Sequence, residues 1–223
     1  MHGNRDRGLH VQYGCGFCAP ENWRNFDASP TLRFERLPIV GRLHLKNERR
    51  FPRNVEYGDI VKGLPLASKS CAAIYASHVL EHLTLEEFRA ALRNTYELLQ
   101  PNGVFRLVVP DLETLARQYL DSPEPAAAED FMKGSCLGVE QRSRNMGGFF
   151  RFWLGNSEHL WMWDLKSLKH ELEAAGFVWV RRCCFGDEPI FSDVEEEGRF
   201  EDAVAVESRK PEDSNSLTQK LNR

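Results

Sequence analysis

Short apolar runs recur along the chain, and the first of them end at glycine or at an acidic residue. A run that starts near Leu9 stops at Gly14-Cys15-Gly16, and a second run ends at Asp27. Later runs cover Val55 to Asp59 and Val104 to Val109. Because helical stretches with short connections separate such runs, we predict an α/β fold with a mostly parallel sheet.

The glycines and the first acid indicate a ligand site at the carboxyl edge of that sheet. Gly14 and Gly16 let the backbone approach a ligand closely, since neither carries a Cβ atom. The carboxylate of Asp27, at the end of the next strand, can accept hydrogen bonds from both hydroxyls of a ribose. A Gly-x-Gly turn alone is more often simple turn chemistry, but together these residues predict a nucleoside-containing cofactor.

Four motifs follow one another along the first half of the chain. They are Tyr13-Gly14-Cys15-Gly16 with Trp23 to Pro30, then Gly58-Asp59-Ile60, then Ser77 to Leu83 (SHVLEHL), and last Leu98 to Gly103 with Val109 to Leu112. In this order and spacing the chain resembles the class I S-adenosylmethionine-dependent methyltransferases, in their type 11-like branch. The similarity covers about residues 9–120 and resumes at Trp163 to Phe177.

This resemblance implies a doubly wound, seven-stranded sheet of order 3-2-1-4-5-7-6, with Ala203 to Glu207 as the antiparallel seventh strand. It also implies S-adenosylmethionine as the cofactor, with Gly14 and Gly16 at its methionine part, Asp27 at its ribose and Asp59 beside its adenine. The full set of cofactor-binding residues implied in this way is Tyr13, Gly14, Cys15, Gly16, Asp27, Ser29, Asp59, Ile60, Ser77 and His78.

The chain departs from the family pattern at the first crossover. The connection from Gly14 to Asn22 has only nine residues, whereas a parallel crossover with a helix needs about a dozen or more. We therefore predict that the first helix is a single turn or absent, and that no helix precedes the strand beginning near Leu9.

Composition indicates a cytoplasmic enzyme domain. The 223 residues predict one domain over 1–207, followed by a polar tail, 208–223, that we expect to be disordered. The net charge of −4 gives no reason to expect nucleic acid.

The first ten residues lack the apolar core of a signal peptide, and no apolar run is long enough for a transmembrane segment. Six cysteines in a chain of this length indicate reduced thiols.

Charge is unevenly distributed along the chain. The segment from Arg33 to Arg53 is strongly basic, and the segment from Asp187 to Asp202 holds eight acids and one base, Arg199. We interpret both as solvated surfaces. The alternative for the basic segment is attraction of an anionic acceptor, such as a phosphorylated glycan, or of an acidic membrane.

An insertion at about residues 121–160 is rich in aromatic side chains. With the residues that follow, it includes Phe149, Phe150, Phe152, Trp153, Trp161 and Trp163. An insertion after the fifth strand would lie over the carboxyl edge, where ligands bind in open α/β sheets. These rings either cap the site and bind an apolar or sugar face, or only attach the insertion to the domain.

Three histidines carry the candidate chemistry. His78, Glu81 and His82 formally match the H-x-x-E-H pattern of zinc peptidases, which requires both histidines on one helical face. A metal-dependent branch of methyltransferases, including small-RNA 2′-O-methyltransferases, has a similar motif with a distant histidine, which His159 could match. We favour a structural role for Glu81 and His82 and expect no bound metal. Cys15-x-x-Cys18 lacks a second ligand pair, so zinc is not expected there either.

The resulting hypothesis is methyl transfer to a small-molecule or glycan-like acceptor, at a hydroxyl oxygen. An oxygen acceptor of high pKa needs a base, and His78 or His159 could accept its proton near neutral pH. Two alternatives are a non-catalytic protein that keeps the cofactor fold for binding a partner and, less favoured, a zinc hydrolase.

Overall fold

The computed structural model describes residues 8–37, 50–138 and 158–212. Its seven strands form one sheet of order β3-β2-β1-β4-β5-β7-β6, as predicted. The strands are β1 (Leu9–Tyr13), β2 (Arg24–Asp27), β3 (Val55–Tyr57), β4 (Cys71–Ser77), β5 (Leu99–Pro110), β6 (Val178–Arg182) and β7 (Ala203–Arg209). The first five pair in parallel, and β7 runs antiparallel to both β5 and β6. The predicted fold class is therefore confirmed.

The helices lie between the strands and after β5. They are α1 (Pro30–Glu35), α2 (Leu85–Leu98), α3 (Leu112–Asp121), α4 (Ala127–Gly134) and α5 (Leu165–Ala174). A capping box between Thr84 and Glu87 fixes the start of α2, since each side chain satisfies a backbone N–H of the first turn. Within the described ranges, no helix combines the length and apolarity needed to cross a membrane.

The larger hydrophobic core lies on one face of the sheet, beneath α2 and α5. Alternate residues of the strands, such as Ile74 and Phe105, meet Phe88 and Leu92 of α2 and Leu168 of α5 there. This arrangement follows from the period of two along a strand and from the apolar stripe of each helix.

The second face of the sheet has an unusual cover. No helix is described between β1 and β2, which confirms the prediction for the first crossover. Instead, the connection between β6 and β7 (residues 183–202) packs there, with Phe191 and Val194 against Tyr75 and Val108. In a doubly wound sheet helices normally cover both faces, so this β6–β7 connection performs the role of the missing first helix.

One buried arginine holds the β6–β7 connection on the sheet. Arg106 of β5 is 0% exposed, and its guanidinium lies 2.7 Å from Asp187, 2.6 Å from Glu195 and 2.6 Å from Glu207. It also lies 4.6 Å from the centre of the Phe191 ring. Burial opposes its charge, but hydrogen bonds to Glu207 and Glu195 more than compensate and raise the pKa of Arg106.

These contacts limit our interpretation of the acidic segment as a solvated surface, which holds for most of its acids but not for two of them. Asp187 and Glu195 belong to that segment, and they neutralise a buried cation. These two carboxylates hold the β6–β7 connection on the sheet and are therefore not available to a partner.

The chain also differs from the prediction at its C-terminal boundary. The seventh strand continues to Arg209 instead of ending at Glu207. Lys210 is buried, and its ammonium donates to the carbonyls of Tyr96 and Leu99 at the end of α2. The predicted disordered tail thus begins with ordered residues, while residues 213–223 lie outside the described part of the chain.

We expect Arg106→Met to lower the free energy of unfolding by about 3–5 kcal/mol, because it leaves buried carboxylates without their cation. Urea denaturation followed by circular dichroism measures this change. The control is Arg117→Met, which removes the exposed pair with Glu113 and should leave the midpoint unchanged. Equal midpoints for wild type and Arg106→Met would show that the buried cluster does not stabilise the fold.

Candidate functional site

The predicted cofactor residues lie along one edge of the sheet. Strands β1 to β4 are parallel neighbours in the order β3-β2-β1-β4, so their carboxyl ends meet at the same edge. Gly14 follows β1, Asp27 ends β2, Asp59 follows β3 and Ser77 ends β4. Residues separated by as many as 63 positions in the sequence are thereby brought to one edge.

The two glycines of this loop suit their positions for different structural reasons. Gly14 has a φ of +66°, and a Cβ atom there would lie 1.9 Å from a methyl group of Val79. Gly16 has a φ of +54° with nothing within 4 Å of its Cβ position. Gly14 therefore permits close packing on the turn after β4, and Gly16 leaves open space beside the backbone.

Asp27 fastens this loop to β2. Its two carboxylate oxygens accept hydrogen bonds from the backbone N–H groups of Gly16, at 3.0 Å, and Ser29, at 2.7 Å. Burial raises the pKa of Asp27, and these two hydrogen bonds partly oppose the increase. Each oxygen keeps a further lone pair, so the carboxylate can still accept the hydroxyls of a ribose.

The other predicted cofactor residues differ in what their side chains can contribute. Asp59 accepts from the Val61 N–H and pairs with Lys62 at 2.7 Å. The side chains of Tyr13, Cys15 and Ile60 belong to the hydrophobic clusters. These three residues could therefore contact a cofactor mainly through backbone atoms, a restriction that the motif alone does not reveal.

Three residues that the sequence analysis did not assign to the site also lie here. A narrow cavity beside Gly14 and Ser77 is lined on its other side by Val194, Glu196 and Arg199 of the β6–β7 connection. The side chain of Arg199 pairs with Glu196 at 2.6 Å. The only sequence signal was a single base within an acidic segment, which gave no indication that the segment folds back onto this edge.

His78 links the two sides of this edge. It has a φ of +52°, and its backbone N–H donates to Val108 at 2.9 Å. Its Nε2 lies 2.8 Å from the carbonyl oxygen of Arg199, and its Nδ1 lies 3.6 Å from Oε1 of Glu81. Burial lowers the pKa of His78, so the ring is neutral at pH 7.

A histidine cluster forms around Glu81, just beyond His78. The Nε2 atoms of His82 and His159 lie 3.9 and 4.0 Å from Oε1 of Glu81. The backbone oxygen of Glu81 accepts from the N–H groups of Leu160 and Trp161, at 2.8 and 3.1 Å, which brings His159 to this turn. The structure thus joins the three residues that the metal-dependent alternative had named.

Burial affects the pKa values within this cluster in opposite directions. Burial raises the pKa of Glu81 to about 8. It lowers the pKa of His159, and the nearby His82 lowers it further. His159 is therefore a neutral imidazole at pH 7 and can accept a proton.

The peptidase pattern does not form in this structure. His78 follows the end of β4, and Leu80–His82 form one 3-10 turn. The two histidines of H-x-x-E-H therefore do not share the face of an α-helix, which that class of zinc site requires.

The aromatic segment is only partly described, and one of its rings corrects our expectation. Trp163 is buried and stacks on Phe88 at 4.0 Å between ring centres, so it is not available to stack on an acceptor. Trp161 is 41% exposed. The remaining rings, Phe149, Phe150, Phe152 and Trp153, lie outside the described residues.

The basic segment is also described only in part. Arg36 donates to the carbonyls of Pro52 and Val55, and Arg33 lies 5.0 Å from the ring centre of Tyr57. These two arginines therefore hold the chain around α1, and residues 38–49 lie outside the described ranges.

The comparison with known protein families gives a match over more than half of the chain. The family model for a methyltransferase domain matches residues 13–181. No curated protein sequence gives a significant match.

Three solved structures are reported as similar to this chain at low sequence identity. One is a SAM-dependent methyltransferase from Archaeoglobus fulgidus, at 16% identity, with 92% of this chain and 87% of that chain covered and a TM-score of 0.48. Another is phosphoethanolamine N-methyltransferase 2 from Haemonchus contortus in complex with S-adenosyl-L-methionine, at 11% identity, 94% and 50% coverage and a TM-score of 0.48. A third is the CurJ carbon methyltransferase, at 14% identity, 93% and 50% coverage and a TM-score of 0.48.

This chain spans about half the length of the Haemonchus and CurJ chains. The match to the family model, in contrast, extends from the glycine loop to β6 and so includes most of the sheet and its carboxyl edge. The chain belongs to the methyltransferase-domain family, the class I S-adenosylmethionine-dependent methyltransferases.

Proposed function

We propose that this protein transfers a methyl group from S-adenosylmethionine to a hydroxyl oxygen of a small-molecule or glycan-like acceptor. The observation that carries the proposal is the position of two neutral histidines, His78 and His159, around the turn that packs on the glycine loop. A hydroxyl needs such a base, since its own pKa is far above neutral.

The residues of the edge fit this cofactor. Gly16 leaves space for a close approach, Asp27 would accept the ribose hydroxyls, and Asp59 would lie beside the adenine. When bound, S-adenosylmethionine supplies an electrophilic methyl group and a neutral leaving group. The chain's own task is to align the acceptor oxygen, to exclude water and to take one proton on His78 or His159.

Two features support the choice of acceptor. Trp161, whose backbone N–H donates to Glu81, has a partly exposed side chain, and a flat aromatic ring suits the face of a sugar or of an aromatic compound. The chain carries a net charge of −4, which does not favour the phosphate backbone of a nucleic acid. We also propose a single domain and a cytoplasmic location, in keeping with the free state of all six cysteines.

We expect Asp27→Asn to weaken S-adenosylhomocysteine binding by about 1.5–3 kcal/mol, because the uncharged amide accepts hydrogen bonds less strongly. Isothermal titration calorimetry measures the affinity. The control is Glu56→Gln on β3, which alters only the pair with Arg24 and should leave the affinity unchanged. A wild-type protein that does not bind S-adenosylhomocysteine would contradict the cofactor site itself.

A screen with radiolabelled S-adenosylmethionine against hydroxyl-bearing metabolites and glycans should identify the acceptor. With that acceptor, His159→Ala should reduce kcat at least tenfold while sparing cofactor affinity, and Trp161→Ala should mainly raise the KM for the acceptor. The control is His170→Ala, on the exposed side of α5.

Three outcomes of that screen would overturn the proposal. Methylation of carbon or nitrogen acceptors alone would refute the hydroxyl assignment. Cofactor binding with no turnover on any acceptor would favour a non-catalytic binding protein. If kcat and the KM for the acceptor are unchanged in both His159→Ala and Trp161→Ala, the acceptor site lies elsewhere.

A further inference from the structure

We propose that Glu81, His82 and His159 bind one divalent transition-metal ion. One carboxylate oxygen and two imidazole nitrogens, one from each residue, all lie within 4.8 Å of one another. This inference revises the expectation of no metal, because the sequence could not show that His159 reaches the turn after β4.

The side chain of Glu81 is isolated in the protein interior. Glu81 is 1% exposed, and neither of its carboxylate oxygens has a hydrogen-bond partner among the described residues. An isolated buried carboxylate is strongly unfavourable unless a cation or a set of donors compensates it. The backbone of Glu81 already holds the 158–163 segment, so docking that segment does not explain the acidic side chain.

Two of the imidazole rings around this carboxylate direct a nitrogen lone pair towards it. Nδ1 of His82 lies 2.9 Å from the backbone oxygen of Glu158, and a carbonyl can only accept, so Nδ1 carries the proton. The Nε2 lone pair of His82 is then directed to the side of Glu81. By the same reasoning, the contact of His78 with the Arg199 carbonyl leaves the Nδ1 lone pair of His78 on the side of Glu81.

Lone pairs that converge on an ionised carboxylate oxygen repel it unless a proton or a metal ion lies between them. The distances, 3.9 Å to His82 and 4.0 Å to His159, are too long for hydrogen bonds. They also exceed the separation of about 3.3–3.5 Å between two ligands of a tetrahedral ion that binds each at about 2.0–2.1 Å. The three side chains would therefore have to move together by about half an ångström to hold one ion.

The donor set favours zinc or manganese over magnesium. Two imidazoles and one carboxylate are typical of zinc sites that keep a position open, whereas magnesium prefers oxygen ligands and retains water. The Glu158 carbonyl fixes the orientation of the His82 ring, as outer partners do for metal-bound histidines. His78 lies beside the three ligands without being needed as one, since its Nδ1 atom is 3.6 Å from the same Glu81 oxygen.

An ion held here would have a defined consequence for the proposed function, on which this step rests. A hydroxyl oxygen bound at the open position would lose its proton more readily, because a divalent ion lowers the pKa of a bound oxygen. His159 would then be a metal ligand, and His78 would remain as the proton acceptor.

The test is metal binding by the full chain, purified without a histidine tag. After treatment with EDTA and its removal, the protein is titrated with Zn²⁺, Mn²⁺ and Mg²⁺ in calorimetry, and its zinc and manganese contents are measured by mass spectrometry. We expect one Zn²⁺ or Mn²⁺ per chain and at least tenfold weaker binding of Mg²⁺. Glu81→Gln and His82→Ala should each abolish stoichiometric binding, while His170→Ala should retain it.

A second measurement guards against variants that fail to fold. Co²⁺ added to the wild-type protein should give visible absorption bands typical of a site with few ligands, among them nitrogen atoms. One equivalent of Zn²⁺ should displace the Co²⁺ and remove these bands. Absence of stoichiometric Zn²⁺ and Mn²⁺ binding to the wild type would overturn the proposal, as would full binding by folded Glu81→Gln. Metal binding without methyl transfer would refute only the proposed function, and metal-free methyl transfer would refute only the metal site.

Discussion

The burial of Arg106 is the constraint on which the rest of this structure depends. A buried guanidinium on an interior strand of a sheet is tolerated only with its charge compensated. The carboxylate partners of Arg106 come from β7 and from the β6–β7 connection. That requirement draws the connection across the sheet face that a first crossover helix would otherwise cover. Arg199 and Glu196 reach the cofactor edge because the same connection continues past the arginine.

The cofactor edge could be predicted because its signals are local, whereas the strand order was implied by the family resemblance that the local motifs carry. Each of the first strands ends at a glycine or an acid within a few residues, and these ends lie together in any parallel sheet. The covering role of the β6–β7 connection could not be predicted in this way. Arg106 and its partners are 81–101 residues apart in the sequence. An acidic segment also has the same sequence pattern whether it faces water or a buried cation.

The histidine cluster shows the same division between local and distant information. His78, Glu81 and His82 share one short motif, so their proximity follows from the sequence. His159 joins them only because the N–H groups of Leu160 and Trp161 find the backbone oxygen of Glu81. The aromatic composition of the insertion also does not indicate which rings are accessible. In the structure Trp163 packs on Phe88, while Trp161 remains partly exposed.

His78 couples the two halves of the site. One ring nitrogen contacts the connection that Arg106 holds in place, and the other faces Glu81. Its positive φ is an uncommon conformation for a residue other than glycine, and the hydrogen bond from its backbone to β5 supports it. A displacement of the β6–β7 connection would therefore move the Arg199 carbonyl, release the ring of His78 and alter the surroundings of Glu81. The cofactor edge and the histidine cluster thus form one structural unit, although the sequence presents them as separate motifs.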